Sequence, residues 1–179
     1  MSGEDASRAD ISIPGVQEEL VQALLDTGKP VVVVLMNGRP LTISKLTEQV
    51  PAIVEGWFLG TETGNAIADV LLGKYNPSGK LTMSFPRNVG QIPVFYNYRQ
   101  SGRPGTDKLT KWTNRFIDSP VSPLYPFGYG LSYTTFSYSA PRVSQKEFST
   151  NEILKVSVDV TNTGQYDGEE TIQLYIRDV

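Results

Sequence analysis

Apolar residues recur at helical spacing between Val16 and Thr27, where Val16, Leu20, Ala23 and Leu24 form one stripe and Gly28 is placed to end it. The spacing predicts an amphipathic helix that lays this stripe on a sheet. Val31 to Met36 is then an unbroken apolar run led by four valines. Such a run predicts a strand covered on both faces. Ala52 to Phe58 reads as a second buried strand, and Asn65 to Leu72 as a helix with Ala66, Ile67, Val70 and Leu71 inward, ended by Gly73. Alternating strands and helices predict a mainly parallel sheet with right-handed crossovers.

Farther along, the period changes. Pro86, Pro93, Pro104, Pro120 and Pro123 argue against long regular elements between Pro77 and Ser122, although Gln91 to Tyr98 fits an edge strand. Leu124 to Phe136 crowds Tyr125, Phe127, Tyr129, Tyr133 and Phe136 around Pro126, Gly128 and Gly130, which fits neither period and predicts a packed seam between two structural units. Beyond it, Leu154, Val156, Val158 and Val160 alternate with Lys155, Ser157, Asp159 and Thr161, the pattern of a half-buried antiparallel strand. Residues 142–148 and 170–176 read as further strands around a turn at residues 163–168. About three strands fall short of the roughly seven of a complete sandwich. The expected fold is α/β, a mainly parallel sheet sandwiched by helices over residues 1–132, followed by a partial antiparallel β-sandwich over 133–179. The last strand would expose an unpaired apolar edge, open to pairing with a second copy as an edge-strand dimer.

Composition narrows the chemistry. The 179 residues carry a net charge of −3, which gives no footprint for nucleic acid or anionic lipid, so neither is an expected partner. No apolar run reaches the ~18 residues of a membrane helix. With no cysteine and no histidine, thiolate and imidazole nucleophiles, bases and metal ligands are excluded, and no cofactor or metal is expected. Hydrolytic chemistry here would use carboxylates.

Several segments carry a resemblance. Ser2 to Arg8 with Asp10 to Gln17, Lys29 to Leu41, Glu55 to Asp69, Asn76 to Pro86 and Leu124 to Phe136 resemble, in order, successive segments of the retaining β-glucosidases of glycoside hydrolase family three. The resemblance implies that the chain is a piece of a longer enzyme: its second, α/β domain and the start of a fibronectin-type-III-like domain. It further implies that the barrel domain bearing the aspartate nucleophile lies outside this sequence and is the domain's partner. A periplasmic or secreted location is favoured by the resemblance alone.

Glu4 is the residue that the resemblance makes the catalytic acid/base. A retaining glycosidase needs two carboxyl groups about 5 to 5.5 Å apart, one attacking the anomeric carbon and one protonating the departing oxygen. The loop setting of Glu4, ahead of the first helix, lets it reach toward a barrel, while a solvated acid near a terminus is the plainer alternative. Asp5 and Asp10 are rival carboxylates. Asp10 is expected to satisfy backbone donors or pair with Arg8, and Glu62 and Asp69 to serve the second helix. Tyr96, Trp112 and Phe116 could line a sugar platform, though packing is the commoner fate of such rings. The substrate implied is a β-glucoside or oligosaccharide, with xyloside or N-acetylglucosaminide open. The competing function is a non-catalytic carbohydrate-binding or interaction module. A nucleotide-binding domain lacks support, because residues 56–64 do not have the glycine spacing of a phosphate loop.

Overall fold

The computed structural model describes residues 5–99, 102–106 and 112–177. The chain divides into two compact units, one of residues 1–67 and 80–129 and the other of residues 68–79 and 130–179. The division assigns residues 68–79 to the same unit as the C-terminal segment, where a single cut after residue 132 would leave them with the first.

Unit 1 is built on α1 (Gln17–Leu25), β1 (Val32–Leu35), α2 (Ser44–Gln49) and β2 (Ala52–Glu55). β1 and β2 pair in parallel from Val32↔Ala52 to Leu35↔Glu55. Their β-branched residues suit the pleat, and α2 makes the crossover that a parallel pair requires. The core gathers Leu35, Ile43, Leu46, Val50 and Phe85, with Val21, Leu25, Val33, Ile53 and Trp57 packed against it.

Three details of this unit depart from the pattern read in the sequence. In α1 the core-facing row is Val21 and Leu25, while Val16, Leu20 and Leu24 are exposed. The helix has two apolar rows, and spacing alone does not say which meets the core. Gly28, at φ +72°, does end it, with its N–H on the Leu25 carbonyl. β1 is not covered on both faces, since only Leu35 is buried and Val32 is exposed. α2 was not anticipated: its six residues contain one buried anchor, Leu46, too short a stretch for a helical period to declare itself.

Nor does Gln91 to Tyr98 form an edge strand. Val89–Gln91 is instead a 3-10 turn, and Pro93 removes a ladder donor just beyond it. Gln91 is buried, and its side chain does the holding. Its carbonyl oxygen accepts the Arg87 N–H at 2.7 Å, and its amide nitrogen donates to the carbonyls of Pro120, Val121 and Ser122 at 3.0, 3.2 and 2.9 Å. Residues 124–129 then run antiparallel to residues 81–85, through Phe85 N–H to the Tyr125 carbonyl and Leu81 N–H to the Tyr129 carbonyl, both 2.8 Å. Phe85 sits beneath Trp57 and Tyr125 at centroid distances of 5.8 and 6.4 Å.

The helix α3 (Thr63–Leu71) spans the point where the two units divide. Ile67 and Val70 are half-buried as expected, but Ala66 and Leu71 are exposed. Gly73, at φ +72°, ends the helix with its N–H on the Val70 carbonyl.

Unit 2 contains β3 (Phe136–Tyr138), β4 (Arg142–Val143), β5 (Val156–Ser157) and β6 (Val160–Asn162). β3 pairs antiparallel with β6 and β4 with β5. The single strand expected over residues 153–162 is thus two, and the register slips by one residue between the two pairs. Ala140-Pro141 causes the break on the facing strand, because proline has no N–H to give the ladder. Of the strand read over residues 142–148, only β4 forms. No strand forms at residues 170–176, where Ile172, Leu174 and Ile176 alternate correctly but are exposed and meet no partner strand among the described residues.

Candidate functional site

Glu4, the expected acid/base, lies outside the described residues. The segment that follows it is firmly tied. Ile11 is buried, its carbonyl accepts the Thr42 N–H at 2.9 Å, and Ser12 bridges Thr42 in parallel. Asp10 turns back on Ser12, accepting from its N–H at 2.8 Å and from its hydroxyl at 2.7 Å, a two-residue Asx turn. Arg8 donates to the Ser12 carbonyl at 3.3 Å and pairs with Asp10 at 3.4 Å. Hydrogen bonding from the Ser12 backbone, then from its hydroxyl, with a smaller attraction from Arg8, holds the Asp10 carboxyl below its ordinary value. Asp10 therefore does both things expected of it, satisfying a backbone donor and pairing with Arg8. Asp5 is exposed. Glu62 accepts from Asn65 on α3, and Asp69 pairs with Lys74 at 3.8 Å.

A second polar cluster was not read in the sequence. At the carboxyl ends of β1 and β2, Asn37 donates to the Arg39 carbonyl at 2.8 Å and to Glu55 at 3.4 Å, while Glu55 accepts the Trp57 N–H at 2.9 Å. Burial pushes the Glu55 carboxyl up, against the lowering effect of the Trp57 and Asn37 hydrogen bonds. The Asn37 side-chain oxygen is buried without a hydrogen-bond partner among the described residues. Trp57 takes φ +51°, an unusual conformation for a bulky residue, held by the Glu55 bond and by packing on Phe85. In an α/β sheet the crevice beyond the carboxyl ends of parallel strands is where ligands collect. The available signal was a glutamate closing an otherwise apolar strand, Ala52-Ile-Val-Glu55.

The three candidate platform rings have different surroundings. Tyr96 stacks on Phe127 at 4.3 Å, Phe116 is moderately exposed, and Trp112, 76% exposed at φ +70°, receives the Arg103 guanidinium over its face at 5.5 Å. Packing, the commoner fate, holds for Tyr96 in part and fails for Trp112. Among the described residues no group of three His, Cys, Asp or Glu side chains could hold a metal ion, and no helix is long and apolar enough to cross a membrane.

Comparison with known proteins places these features. Residues 1–133 match the sequence model of the glycosyl hydrolase family 3 C-terminal domain. The chain is 54% identical to a periplasmic beta-glucosidase of Salmonella typhimurium, covering 100% of this chain and 24% of that protein. It is 51% identical to a beta-xylosidase of Formosa agariphila, covering 98% of this chain and 24% of the relative. Among solved structures, beta-glucosidase from Listeria innocua in complex with isofagomine superposes with a TM-score of 0.84 at 46% identity, over 89% of this chain and 22% of that one. The chain thus spans about a quarter of the length of the relatives it matches. By the match over most of its length, the chain belongs to glycosyl hydrolase family 3 and carries that family's C-terminal domain fold.

Proposed function

We propose that this chain is the C-terminal part of a retaining β-glucosidase, in which Glu4 supplies the acid/base carboxyl to a barrel domain that bears the nucleophile. The observation that carries this reading is the 54% identity, end to end, with a periplasmic beta-glucosidase. A solved relative holds glucose, which supports a glucoside as the substrate class. The same polypeptide's barrel is the expected partner, and a periplasmic or secreted location follows the Salmonella relative.

The chemistry rests on two carboxyl groups. A glutamic acid beside an ionised aspartate keeps its proton, because a second negative charge is disfavoured; once the aspartate is esterified by the sugar that reason disappears, and the same group accepts a proton from water. The tied segment from Arg8 to Ser12 gives the loop that follows Glu4 a fixed end. The parallel β1–β2 pair is, on this reading, part of a larger mainly parallel sheet sandwiched by helices. Exposed Val32 on β1 and the outward row Val16, Leu20 and Leu24 on α1 supply apolar surface for it. As modules we assign 1–132 to this domain and 133–179 to a partial fibronectin-type-III-like region, whose exposed Ile172, Leu174 and Ile176 are available to pair with a neighbouring strand or a second copy.

A β-xylosidase is the second reading, favoured by the 51% identity with the Formosa relative. The full-length polypeptide, assayed on aryl β-glucoside and aryl β-xyloside with the first-formed sugar followed by proton NMR, decides. Faster glucoside turnover with β-glucose appearing first is expected, and no turnover from the 179-residue chain alone. Inverted α-glucose, or activity from the isolated chain, would contradict the proposal.

A further inference from the structure

Unit 2 holds a recess of about 660 Å³ that the proposed reaction does not use. Its walls are Tyr133 on one side and Tyr166 and Asp167 on the other, with Leu72, Lys74 and Asn76 between them. The recess is built rather than incidental. The Asn76 side-chain oxygen accepts the Tyr133 N–H at 2.8 Å and the Ser132 hydroxyl at 2.9 Å, while its nitrogen donates to the Asp167 carbonyl at 2.9 Å, so one amide fixes both walls. The Tyr133 hydroxyl donates to the Val70 carbonyl at 2.9 Å, which sets its ring, and Asn162 donates to the Tyr166 carbonyl at 2.8 Å. Gly168 permits this closeness, since a Cβ there would stand 2.6 Å from the Asn76 amide nitrogen. The rings themselves stay open, at 46% and 65% exposure.

We propose that this recess is a second, non-catalytic site for a neutral β-linked glycan chain, with Tyr133 and Tyr166 as the stacking surfaces. Aromatic faces suit the C–H face of a pyranose, and a carboxylate and an ammonium at the rim match hydroxyls that both donate and accept. Charge argues against an anionic ligand: Lys74 is paired with Asp69 at 3.8 Å, and Asp167 lines the same recess. Apolar surface argues against a lipid or a greasy peptide, because Leu72 is the one aliphatic side chain in the lining. Walls already fixed by hydrogen bonds lose little freedom on binding, which favours a weak ligand of this kind. The inference does not depend on which residue is the acid/base.

The test is native electrophoresis of the full-length polypeptide through gels containing soluble mixed-linkage β-glucan or arabinoxylan, with gluconolactone present to fill the catalytic pocket. Retardation by one of these polysaccharides is expected, with Tyr166→Ala and Tyr133→Ala each weakening it about tenfold. Tyr133→Phe, which keeps the ring, should retain it, and aryl-glucoside kcat/KM should be unchanged in all three variants. No retardation of the wild type, retardation abolished by gluconolactone, or full retardation of Tyr166→Ala would each overturn the proposal. Loss of aryl-glucoside turnover in the wild type would instead count against the glycosidase reading.

Discussion

Gln91 shows how much a single buried amide can hold. Four backbone groups of residues 87 and 120–122 bond to its side chain, and Gln91→Ala removes all four of these hydrogen bonds. The expected loss is about 2 to 4 kcal/mol, read as a lower urea midpoint with an unchanged slope. Asp10 and Glu55 give opposite pH signatures. The Asp10 carboxyl is lowered from 3.8, so its stabilising effect is present above that value and is lost as pH falls through the folded-state value. Wild type should therefore melt above Asp10→Ala at neutral pH, and the gap should close in acid. The Glu55 carboxyl is raised from 4.5, so the folded state holds its proton longer and stability declines as pH rises through that window. Glu55→Gln keeps the acceptor for the Trp57 N–H and should flatten this decline in thermal melts taken from pH 4 to pH 8. Of these residues only Asp10 was legible, because it stands in a polar run with Arg8 two positions before it; Glu55 also bonds two positions away, to Trp57, but closes an apolar run that reads as a buried strand. Gln91 reaches 31 positions and Asn37 reaches 18, distances at which no local pattern operates.

At the scale of elements, alternation declared strand character but not strand partners. Leu154, Val158 and Val160 are half-buried, as the period requires, while Val156, in phase with them, is exposed. The break between β5 and β6 comes from Pro141 on the facing strand, where Arg142 instead grips Asp159 through both guanidinium nitrogens at 2.9 and 3.0 Å. Residues 170–176 have the same alternation and no strand, since a ladder needs a neighbour. Close packing at the β3–β6 pair sets another limit. A Cβ at Gly164 would lie 2.9 Å from the Thr135 amide nitrogen and closer still to the Thr134 hydroxyl. Gly164→Ala should destabilise unit 2 by about 1 to 3 kcal/mol, seen as faster amide exchange at Tyr138 and Asn162 while Val33 and Val34 keep their protection.

For the molecule as a whole, the surface is the informative quantity. A folded monomer of 19.7 kDa exposes about 8,600 Å², whereas this chain exposes 13649 Å². Val16, Leu20, Val32, Phe58, Leu72 and Ile176 are among the large apolar side chains that remain in water. Sequence patterning marked Val16, Leu20, Val32 and Leu71 as interior because they are apolar at regular spacing; the polypeptide needed to cover them is, on our proposal, the rest of a protein about four times longer. The isolated chain should accordingly bind more anilinonaphthalene sulfonate per mole than the full-length polypeptide. The most direct measurement of the central claim is Glu4→Ala in the full-length polypeptide, followed on substrates of differing leaving-group acidity with and without azide. Hydrolysis of poor leaving groups should collapse by several orders of magnitude, with azide restoring turnover as β-glucosyl azide. Kinetics indistinguishable from wild type would contradict the assignment of Glu4 as the acid/base.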